Sequence, residues 1–338
     1  MKRSQITSFS LFFITVITFT GVAKAYDCAT LRAEVASLPA AGGTIQIPAG
    51  VYDCDASIII NRSHVKLIGA GQAQVVLRLA DQVHAPLIVI GEPQIILDGN
   101  GNYVTAHRVS DIEISNMTLD GNRLNHDEKK ECGEHICEGD PTGVRNNGIT
   151  IRGASDILIQ NVTTHSMISG GLVTEKYCQR LKVVNFESYD NFFDGFAGYQ
   201  TENSVFTGLN LHHNLGAGIS IDIDFNNNIV QDSELHDNHD VGIFARNLTG
   251  NRFVRVSIQR SGNHGVFMAE AEAPNSCARN NTFEDVQIND SKFAGFRLNN
   301  NCPGNKIIGA SNLCGNSAGG VSEERSGVLS VAAGVSCQ

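Results

Sequence analysis

A glycine followed by an apolar residue recurs at a nearly constant interval through the second half of the chain. The glycines of these pairs are Gly148, Gly171, Gly195, Gly218, Gly242, Gly265, Gly295 and Gly320. Successive members are separated by 23, 24, 23, 24, 23, 30 and 25 residues. A period of this regularity is typical of a solenoid, in which each repeat forms one coil that stacks on the next.

Each period also contains short stretches of alternating apolar and polar residues, separated by Asn, Asp and Gly. This pattern predicts two or three short strands per coil with tight corners between them. Asparagines that stand four residues before a repeat glycine predict a ladder of amides from coil to coil, formed by Asn191, Asn214, Asn238 and Asn316. The sequence therefore predicts an all-β fold, a right-handed parallel β-helix.

An amphipathic stretch at residues 31–38 precedes the repeats. It predicts a short N-terminal helix that caps the first coil and protects its strand edges. The segment 122–144 interrupts the repeats and is long enough to form an inserted loop. We expect a single β-helix domain over residues 26–338 with this insertion.

The first 25 residues have the pattern of a secretory signal. Lys2 and Arg3 precede an apolar run at residues 9–22, which ends at a small-x-small site, Ala23-Lys-Ala25. Cleavage there would leave a chain that begins near Tyr26, and the alternative is an uncleaved anchor. No later stretch approaches the roughly 18 consecutive apolar residues of a membrane span. We therefore expect export, to the periplasm or the extracellular medium, without membrane insertion after cleavage.

All nine cysteines lie after the predicted cleavage site, which suits an oxidising compartment. Proximity favours four pairs and leaves Cys178 unpaired, although sequence alone does not fix connectivity. The pairs are Cys28 with Cys54, Cys132 with Cys137, Cys277 with Cys302, and Cys314 with Cys337.

The mature chain is strongly acidic. Removing Lys2, Arg3 and Lys24 leaves 22 basic residues (25 − 3) against 35 acidic ones, a formal charge of −13. Such a charge counts against nucleic acid as a partner. It also means that an anionic polysaccharide would need basic side chains or a bound cation in its groove.

An exposed column of polar side chains is predicted four residues after the repeat glycines. It consists of Arg152, Glu175, Tyr199, Asp222 and Arg246. Since coils stack about 4.8 Å apart, the five positions extend over roughly 19 Å, the scale of a few sugar units. Neighbouring candidates for substrate binding are Lys176, Ser220, Asp224 and Phe244, with Phe267 as a second face for sugar stacking.

One strand of this column reads Gly-Ile-Ser-Ile-Asp-Ile-Asp at residues 218–224. Strict alternation predicts that its three isoleucines point into the core and that Ser220, Asp222 and Asp224 point outward. Two carboxylates on one exposed face make this coil the best candidate for a site.

Several segments resemble known families. Ala-Gly-Gly-Thr-Ile-Gln-Ile-Pro-Ala-Gly-Val-Tyr at residues 41–52 is similar to the opening segment of the pectate-lyase-like superfamily. Met-Thr-Leu-Asp-Gly-Asn-Arg at 117–123 and Asp-Gly-Phe-Ala-Gly-Tyr-Gln at 194–200 resemble segments of secreted mannuronan C5-epimerases and related alginate-modifying β-helix enzymes. The resemblance, over about residues 112–246, implies a uronate-containing polysaccharide as substrate.

The chain departs from that family at the catalytic motif. Where the family has Tyr-Gly-Phe-Asp-Pro-His, this chain has Gly-Gly-Leu-Val-Thr-Glu at residues 170–175. The family's tyrosine, aspartate and histidine thus align with Gly170, Val173 and Glu175, and its aspartate on the next coil aligns with Tyr199. The family's activity does not carry over residue by residue.

Proton abstraction at C5 of a uronate requires a group that neutralises the carboxylate, a base and an acid. Arg246 and Arg152 can supply the first, and Tyr199 or a nearby histidine the others, with Asp222 and Glu175 holding the arginines or binding Ca²⁺. These residues predict a polysaccharide lyase or C5-epimerase. An inverting glycoside hydrolase that uses Asp222 and Asp224 is the first alternative, and a non-catalytic carbohydrate-binding or surface β-helix is the second.

A second column stands six residues before the repeat glycines: His165, Tyr189, His212 and His236. It is consistent with structural stacking, and also with a proton relay or substrate binding through His212 and His236. A metal site is a further alternative, but its metal is not defined by the sequence.

Overall fold

The structure is a computed structural model that describes residues 26–93, 98–100, 104, 108–126, 146–269, 277–299 and 302–337. The predicted signal at residues 1–25 lies outside the described residues. So do the predicted Cys132–Cys137 pair and all of the predicted inserted loop beyond His126.

The described chain is almost entirely β-structure. Helix α1 covers Cys28–Ser37, and a 3₁₀ turn covers Arg123–Asn125. The strands are β1 (Gly43–Ile47), β2 (Gly50–Cys54), β3 (Ile58–Ile60), β4 (Val65–Gly69), β5 (Val75–Leu79), β6 (Ile88–Gly91), β7 (Val109–Asp120), β8 (Ile149–Arg152), β9 (Ala154–His165), β10 (Leu172–Glu175), β11 (Cys178–Gln179), β12 (Lys182–Tyr189), β13 (Phe196–Tyr199), β14 (Thr201–Glu202), β15 (Val205–His212), β16 (Ile219–Ile223), β17 (Phe225–Asn226), β18 (Ile229–His236), β19 (Ile243–Ala245), β20 (Leu248–Thr249), β21 (Arg252–Gln259), β22 (Val266–Met268), β23 (Thr282–Glu284), β24 (Gln287–Asn289), β25 (Phe296–Leu298), β26 (Lys306–Ile308), β27 (Val321–Glu323) and β28 (Ser330–Val331).

The strands form a parallel β-helix, as the glycine period predicts. Ten described strands make one parallel sheet, hereafter the short-strand sheet, in the order β3, β6, β8, β10, β13, β16, β19, β22, β25 and β27. Each step in this order is one coil, so Ile149 pairs with Leu172, and Leu172 with Phe196. The remaining strands form a second sheet, hereafter the long-strand sheet.

One complete coil shows how the chain turns. It passes from β13 through β14 to β15, with left-handed residues at the corners: Gln200 (φ 46°), Asn203 (φ 53°) and His213 (φ 54°). Asn, Asp and His are the non-glycine residues that adopt this conformation most readily. The corners explain why each period carries these residues between its apolar stretches.

The core is a stack of apolar layers. Phe196 and Phe206 contact each other across the interior with ring centroids 4.8 Å apart, and Phe225 lies 5.8 Å from Phe206. All three rings are fully buried. Truncation of one of them to alanine would cost about 3–5 kcal/mol.

Two ladders of buried asparagines join the coils. In the predicted ladder, the Asn191 side-chain amide donates to Asn214 Oδ1 at 2.8 Å, and Asn214 donates to Asn238 Oδ1 at 2.9 Å. A second ladder, which the sequence analysis missed, has amide contacts of 2.9 and 3.0 Å among Asn251, Asn281 and Asn305. Its sequence signal is an asparagine directly before each of the strands β21, β23 and β26.

Helix α1 caps the first coil, as predicted, but begins three residues earlier than residue 31. The earlier start has a clear cause, since the Asp27 side chain accepts from the Thr30 backbone N–H at 2.7 Å and acts as the N-cap. Leu31 and Val35 are buried against the first strands. The helix therefore covers the open end of the core.

Three of the predicted disulfides are present: Cys28–Cys54, Cys277–Cys302 and Cys314–Cys337. Cys178 is a buried free thiol, also as predicted, and burial raises its pKa to about 11. Among the described residues, no helix has the length and apolar character needed to cross a membrane.

Candidate functional site

The predicted polar column lies at the ends of the strands of the short-strand sheet. Arg152, Glu175 and Tyr199 are the last residues of β8, β10 and β13, and Arg246 follows β19 directly. We call this set, with Asp222, the charged column. Its first two members pair in register, since Glu175 lies opposite Arg152.

The first pair of the charged column is an ion pair that is largely buried. Arg152 Nε lies 2.5 Å from Glu175 Oε1, and an Arg152 terminal nitrogen donates to the Pro93 carbonyl at 3.1 Å. Only 7% of Arg152 is exposed. This guanidinium is already paired within the protein, so its predicted contact with a substrate carboxylate stays a prediction.

A β-bulge interrupts the column at Asp222. Gly198 pairs with Ile221, but Tyr199 pairs with Ile223, so Asp222 is an extra residue in β16. The alternation predicted for residues 218–224 is wrong at Ile223, because the extra residue turns this side chain outward, where it is 46% exposed. Asp224 is exposed, as predicted. Bulges of this kind re-aim side chains and occur frequently beside active sites.

The re-aimed carboxylate of Asp222 meets Arg246 of the next coil. Arg246 Nε lies 2.5 Å from Asp222 Oδ1, and a terminal nitrogen donates to Oδ2 at 3.0 Å. Asp224 lies at the exposed, left-handed corner that follows (φ 46°), where it accepts from the Asn247 amide at 3.1 Å. Both predicted carboxylates are thus near the surface, but they face different partners.

A second set of outward residues, hereafter the central column, runs along the middle of the same sheet. It consists of Thr150, Val173, Ala197, Ser220, Phe244, Phe267 and Arg297, which pair in register from coil to coil. Alternation along each strand, the rule that predicted an outward Ser220, would make all seven positions face solvent. The first three are buried and the last four are partly exposed, so the accessible face begins at Ser220.

An aromatic cluster occupies this accessible part. Phe244 and Phe267 contact each other at 5.9 Å between centroids, and His264 lies 5.6 Å from Phe267 and 5.5 Å from Phe293. The Arg246 guanidinium stacks on the Phe244 ring at 5.4 Å. The cluster therefore adjoins the Asp222–Arg246 pair.

The protonation of His264 is set by its surroundings. The Ala294 backbone N–H donates to His264 Nδ1 at 3.1 Å, so a neutral ring carries its hydrogen on Nε2. Burial, more than any nearby charge, lowers the pKa of this imidazole. His264 is thus a neutral hydrogen-bond donor at neutral pH. The sequence analysis assigned no site role to His264 or to Phe293.

Lys176 and Tyr199 lie on the two coils that precede Asp222. Lys176 follows Glu175 at a left-handed corner (φ 63°), and Tyr199 is half-buried at the end of β13, opposite Ile223. Tyr199, Asp222 and Arg246 therefore lie on three successive coils, with Asp222 and Arg246 in contact and Tyr199 in register with the neighbour of Asp222.

The second predicted column lies on the long-strand sheet, apart from the charged column. His165, Tyr189, His212 and His236 form a continuous stack, with centroid separations of 5.1, 5.0 and 4.8 Å and interplanar angles of 13°, 4° and 3°. We call it the ring column. It confirms the predicted stacking, while substrate binding by His212 and His236 stays a prediction.

Burial and the adjacent His236 lower the pKa of His212. Glu187 contributes in the opposite direction, with Oε1 at 3.6 Å from His212 Nε2. Burial raises the pKa of the Tyr189 hydroxyl, and the Glu187 charge adds to the effect. Tyr189 and His212, the two middle members of the ring column, are therefore neutral at pH 7.

The stacked coils form a right-handed parallel β-helix with columns of polar and aromatic side chains on the outer faces of its sheets. Residues 148–331 match the family described as "Right handed beta helix region", and residues 29–222 match "Rhamnogalacturonase A/epimerase, pectate lyase-like". Each match covers more than half of the chain. The protein belongs to the right-handed β-helix proteins of this pectate-lyase-like family.

Among curated proteins, Mannuronan C5-epimerase AlgE4 of Azotobacter vinelandii is 28% identical over 190 residues, which are 53% of this chain and 30% of the relative. Mannuronan C5-epimerase AlgE1 of the same organism is 24% identical over 230 residues, 65% of this chain and 15% of the relative. The chain spans less than a third of the length of these curated relatives.

Among solved structures, the AlgE4 A-module of Azotobacter vinelandii has a TM-score of 0.56 at 18% identity and covers 92% of both chains. The catalytic domain of a GH87 α-1,3-glucanase in complex with nigerose has a TM-score of 0.51 at 12% identity, over 93% of this chain and 68% of that one. At these identities, the likeness establishes the fold.

Proposed function

We propose that the protein modifies a uronate-containing polysaccharide, alginate- or pectate-like, by abstraction of the C5 proton, as a lyase or a C5-epimerase. The observation that carries the proposal is the bulge in β16. It places Asp222 against Arg246 on the coil next to Tyr199, at the edge of an accessible aromatic cluster. Support also comes from the curated relatives, which are named mannuronan C5-epimerases.

The charged column offers the groups that the reaction needs. A base removes the C5 proton, and negative charge then develops on the uronate carboxyl group. Arg246, beside the aromatic cluster, can stabilise this charge, while Asp222 fixes its guanidinium through two contacts. Tyr199 is the proposed proton-transfer group, and Glu175 supports the column through Arg152.

The two outcomes differ in the fate of the carbanion. In a lyase, a proton donor protonates the glycosidic oxygen at C4, the C4–O bond breaks and a C4–C5 double bond forms. In an epimerase, C5 takes a proton from the opposite face and the chain stays intact. His264, with its hydrogen on Nε2, is a second candidate for the proton donor, in addition to Tyr199.

The aromatic cluster offers an uncharged surface on which a sugar ring can pack. Pyranose rings present C–H faces that pack on aromatic side chains, and Phe244 and Phe267 lie on adjacent coils, about 4.8 Å apart along the helix axis. A sugar chain bound there would pass beside Arg246. Ser220 and Lys176 lie on the earlier coils as polar contacts.

Incubation with polymannuronate, polyguluronate and polygalacturonate tests the proposal. A lyase raises the ultraviolet absorbance through its unsaturated product, and an epimerase changes the proton NMR spectrum without shortening the chains. Omission and addition of Ca²⁺ in each assay tests whether the carboxylates Asp222 and Glu175 serve to bind that ion, the alternative to holding the arginines. No change in any polymer would contradict the proposal.

A glycoside hydrolase is the second candidate, because Asp222 and Asp224 both lie at the surface of one coil. An inverting mechanism needs one carboxyl group as acid and the other as base for a water molecule. New reducing ends without absorbance, lost in Asp224→Asn, would favour this reaction. Glycan binding without any chemical change would favour a non-catalytic carbohydrate-binding role.

Export to the periplasm or the extracellular medium remains part of the proposal. Its support is the N-terminal signal pattern and the three disulfides, which suit an oxidising compartment. N-terminal sequencing of the protein recovered from the medium or periplasm tests it, with Tyr26 as the expected first residue.

A further inference from the structure

We propose that His213, His236 and Asp237 bind a divalent transition-metal ion of the Zn²⁺ class at the edge of the long-strand sheet. His213 occupies the left-handed corner after β15, His236 ends β18 on the next coil, and Asp237 occupies the equivalent corner there. One ligand atom from each lies within 4.8 Å of the other two. An ion at this point would join two successive coils.

Two of the three ligands are held in place by other side chains. The His236 ring stacks on His212 at 4.8 Å and 3°. Arg260 Nε and a terminal nitrogen each lie 2.7 Å from an oxygen of Asp237, which fixes the carboxylate plane. Such outer contacts orient the ligands in metal sites and tune their affinity.

The ligand atoms of His236 and Asp237 already converge. His236 Nδ1 lies 2.7 Å from Asp237 Oδ2, so these two atoms now share a hydrogen. A metal ion would replace this hydrogen after a small opening of the pair. About a quarter of each side chain is exposed, so an ion can reach the position from solvent.

The third ligand, His213, is exposed and is oriented by His212. The Nδ1 atoms of the two rings lie 2.8 Å apart, at hydrogen-bond distance, so one of them donates and the other accepts. The planes are nearly perpendicular, at 86°. His212 thus belongs to the surroundings of the proposed site.

The ligand set selects the class of metal. Two imidazoles and one carboxylate suit Zn²⁺, Cu²⁺ or Ni²⁺, whereas Ca²⁺ prefers an all-oxygen shell of six to eight ligands. Three protein ligands also leave a coordination position for water. The positive charge of Arg260 beside Asp237 weakens the site, which favours an ion that binds imidazole strongly.

The experiment is calorimetric titration of the chelator-treated, full-length protein with Zn²⁺, with Ca²⁺ as the comparison ion. We expect one Zn²⁺ per chain, no heat from Ca²⁺ at this site, and a rise of the thermal unfolding midpoint with Zn²⁺. His213→Asn, which keeps a residue suited to the left-handed corner, should lower the Zn²⁺ affinity at least about tenfold.

The control variant is His64→Asn, because His64 also has a left-handed φ and contacts an aspartate, Asp111, at 2.8 Å. It should bind Zn²⁺ as the unmodified protein does. Equal Zn²⁺ affinity in His213→Asn and the unmodified protein would overturn the proposal, as would the absence of a stoichiometric Zn²⁺ site. Co²⁺ can be loaded in place of Zn²⁺ to give a visible absorption spectrum. Loss of the spectrum of a nitrogen-ligated site in His213→Asn would support the proposal independently of any change in stability.

Discussion

Two columns of outward side chains run along this β-helix, and they differ in regularity. The ring column repeats coil after coil, with neighbouring planes within 13° of parallel. The charged column repeats only from Arg152 to Tyr199 and is then broken by the extra residue Asp222. Repetition alone explains the first column, because equivalent residues on stacked coils must meet. The break in the second has no such explanation.

The ring column is explained by its contribution to stability, whereas the charged column needs a chemical explanation. A regular stack contributes contact energy at every coil and is what a solenoid produces whenever its sequence repeats. A bulge costs ladder hydrogen bonds, so regular stacking of coils does not account for it. In this protein it turns a carboxylate toward Arg246, beside the accessible aromatic cluster.

Tyr199→Phe should give the largest effect, a loss of about 10²–10⁴-fold in polysaccharide turnover, because the variant lacks the proposed proton-transfer hydroxyl. Circular dichroism and the thermal midpoint should remain unchanged. Tyr177→Phe, at the exposed corner of the preceding coil, is the matched control and should keep full activity. Equal activity in both variants would move the chemistry elsewhere.

Deletion of Asp222 should abolish turnover to a similar degree, because the coil would regain the residue count of its predecessor and Arg246 would lose its partner. The strand would then match β13 in register, so we expect a folded protein. Turnover and the unfolding transition, measured on the same preparation, check both expectations. An active deletion variant would show that the bulge is only structural.

Asn238→Ala should lower the free energy of unfolding by about 1–3 kcal/mol, since it leaves buried partners without hydrogen bonds. The amide of Asn238 donates to the Leu211 carbonyl at 2.9 Å, and its oxygen accepts from Asn214. Turnover per folded molecule should not change. Asn247→Ala, which removes a surface contact, is the control in urea denaturation.

His212→Ala should cost about 1 kcal/mol through the loss of two stacked neighbours, with little effect on turnover. A raised KM for polysaccharide would instead support the sequence-based prediction that His212 binds substrate. Urea denaturation and initial-rate kinetics distinguish these results.

Acidification should weaken the fold slightly through His212 and His264. Burial lowers the pKa of both rings in the folded protein, whereas unfolded histidine titrates near 6.5. Between pH 7 and the lowered pKa values the unfolded chain binds more protons, so the free energy of unfolding falls as the pH falls. The double variant His212→Gln/His264→Gln should show a flatter pH dependence in urea denaturation.

Much of the fold could be predicted because it follows from repetition. The glycine period predicted the coils, and the proximity of Cys28 and Cys54 along the chain favoured the disulfide that the structure contains. The bulge could not be predicted from the period. Successive repeats already differ between 23 and 24 residues, so one additional residue in a coil does not reveal where in that coil it lies. The same ambiguity placed Ile223 in the core.

The site was harder to predict than the fold because it depends on which outward residues remain accessible. Thr150 and Ala197 occupy outward positions like those of Ser220 and Phe244, yet they are buried. The pairing of both arginines with carboxylates also depends on side-chain geometry. Alternating charges in the column indicated such pairs but did not exclude substrate contacts.

Proton NMR of polymannuronate and polygalacturonate treated in D₂O tests C5 proton abstraction at the Tyr199–Asp222–Arg246 site. We predict loss of the C5 proton signal, either by deuterium incorporation or by formation of the unsaturated product, with the unmodified protein and Tyr177→Phe but not with Tyr199→Phe. Shortened chains that retain every C5 proton, or polymers that remain unchanged, would contradict the claim.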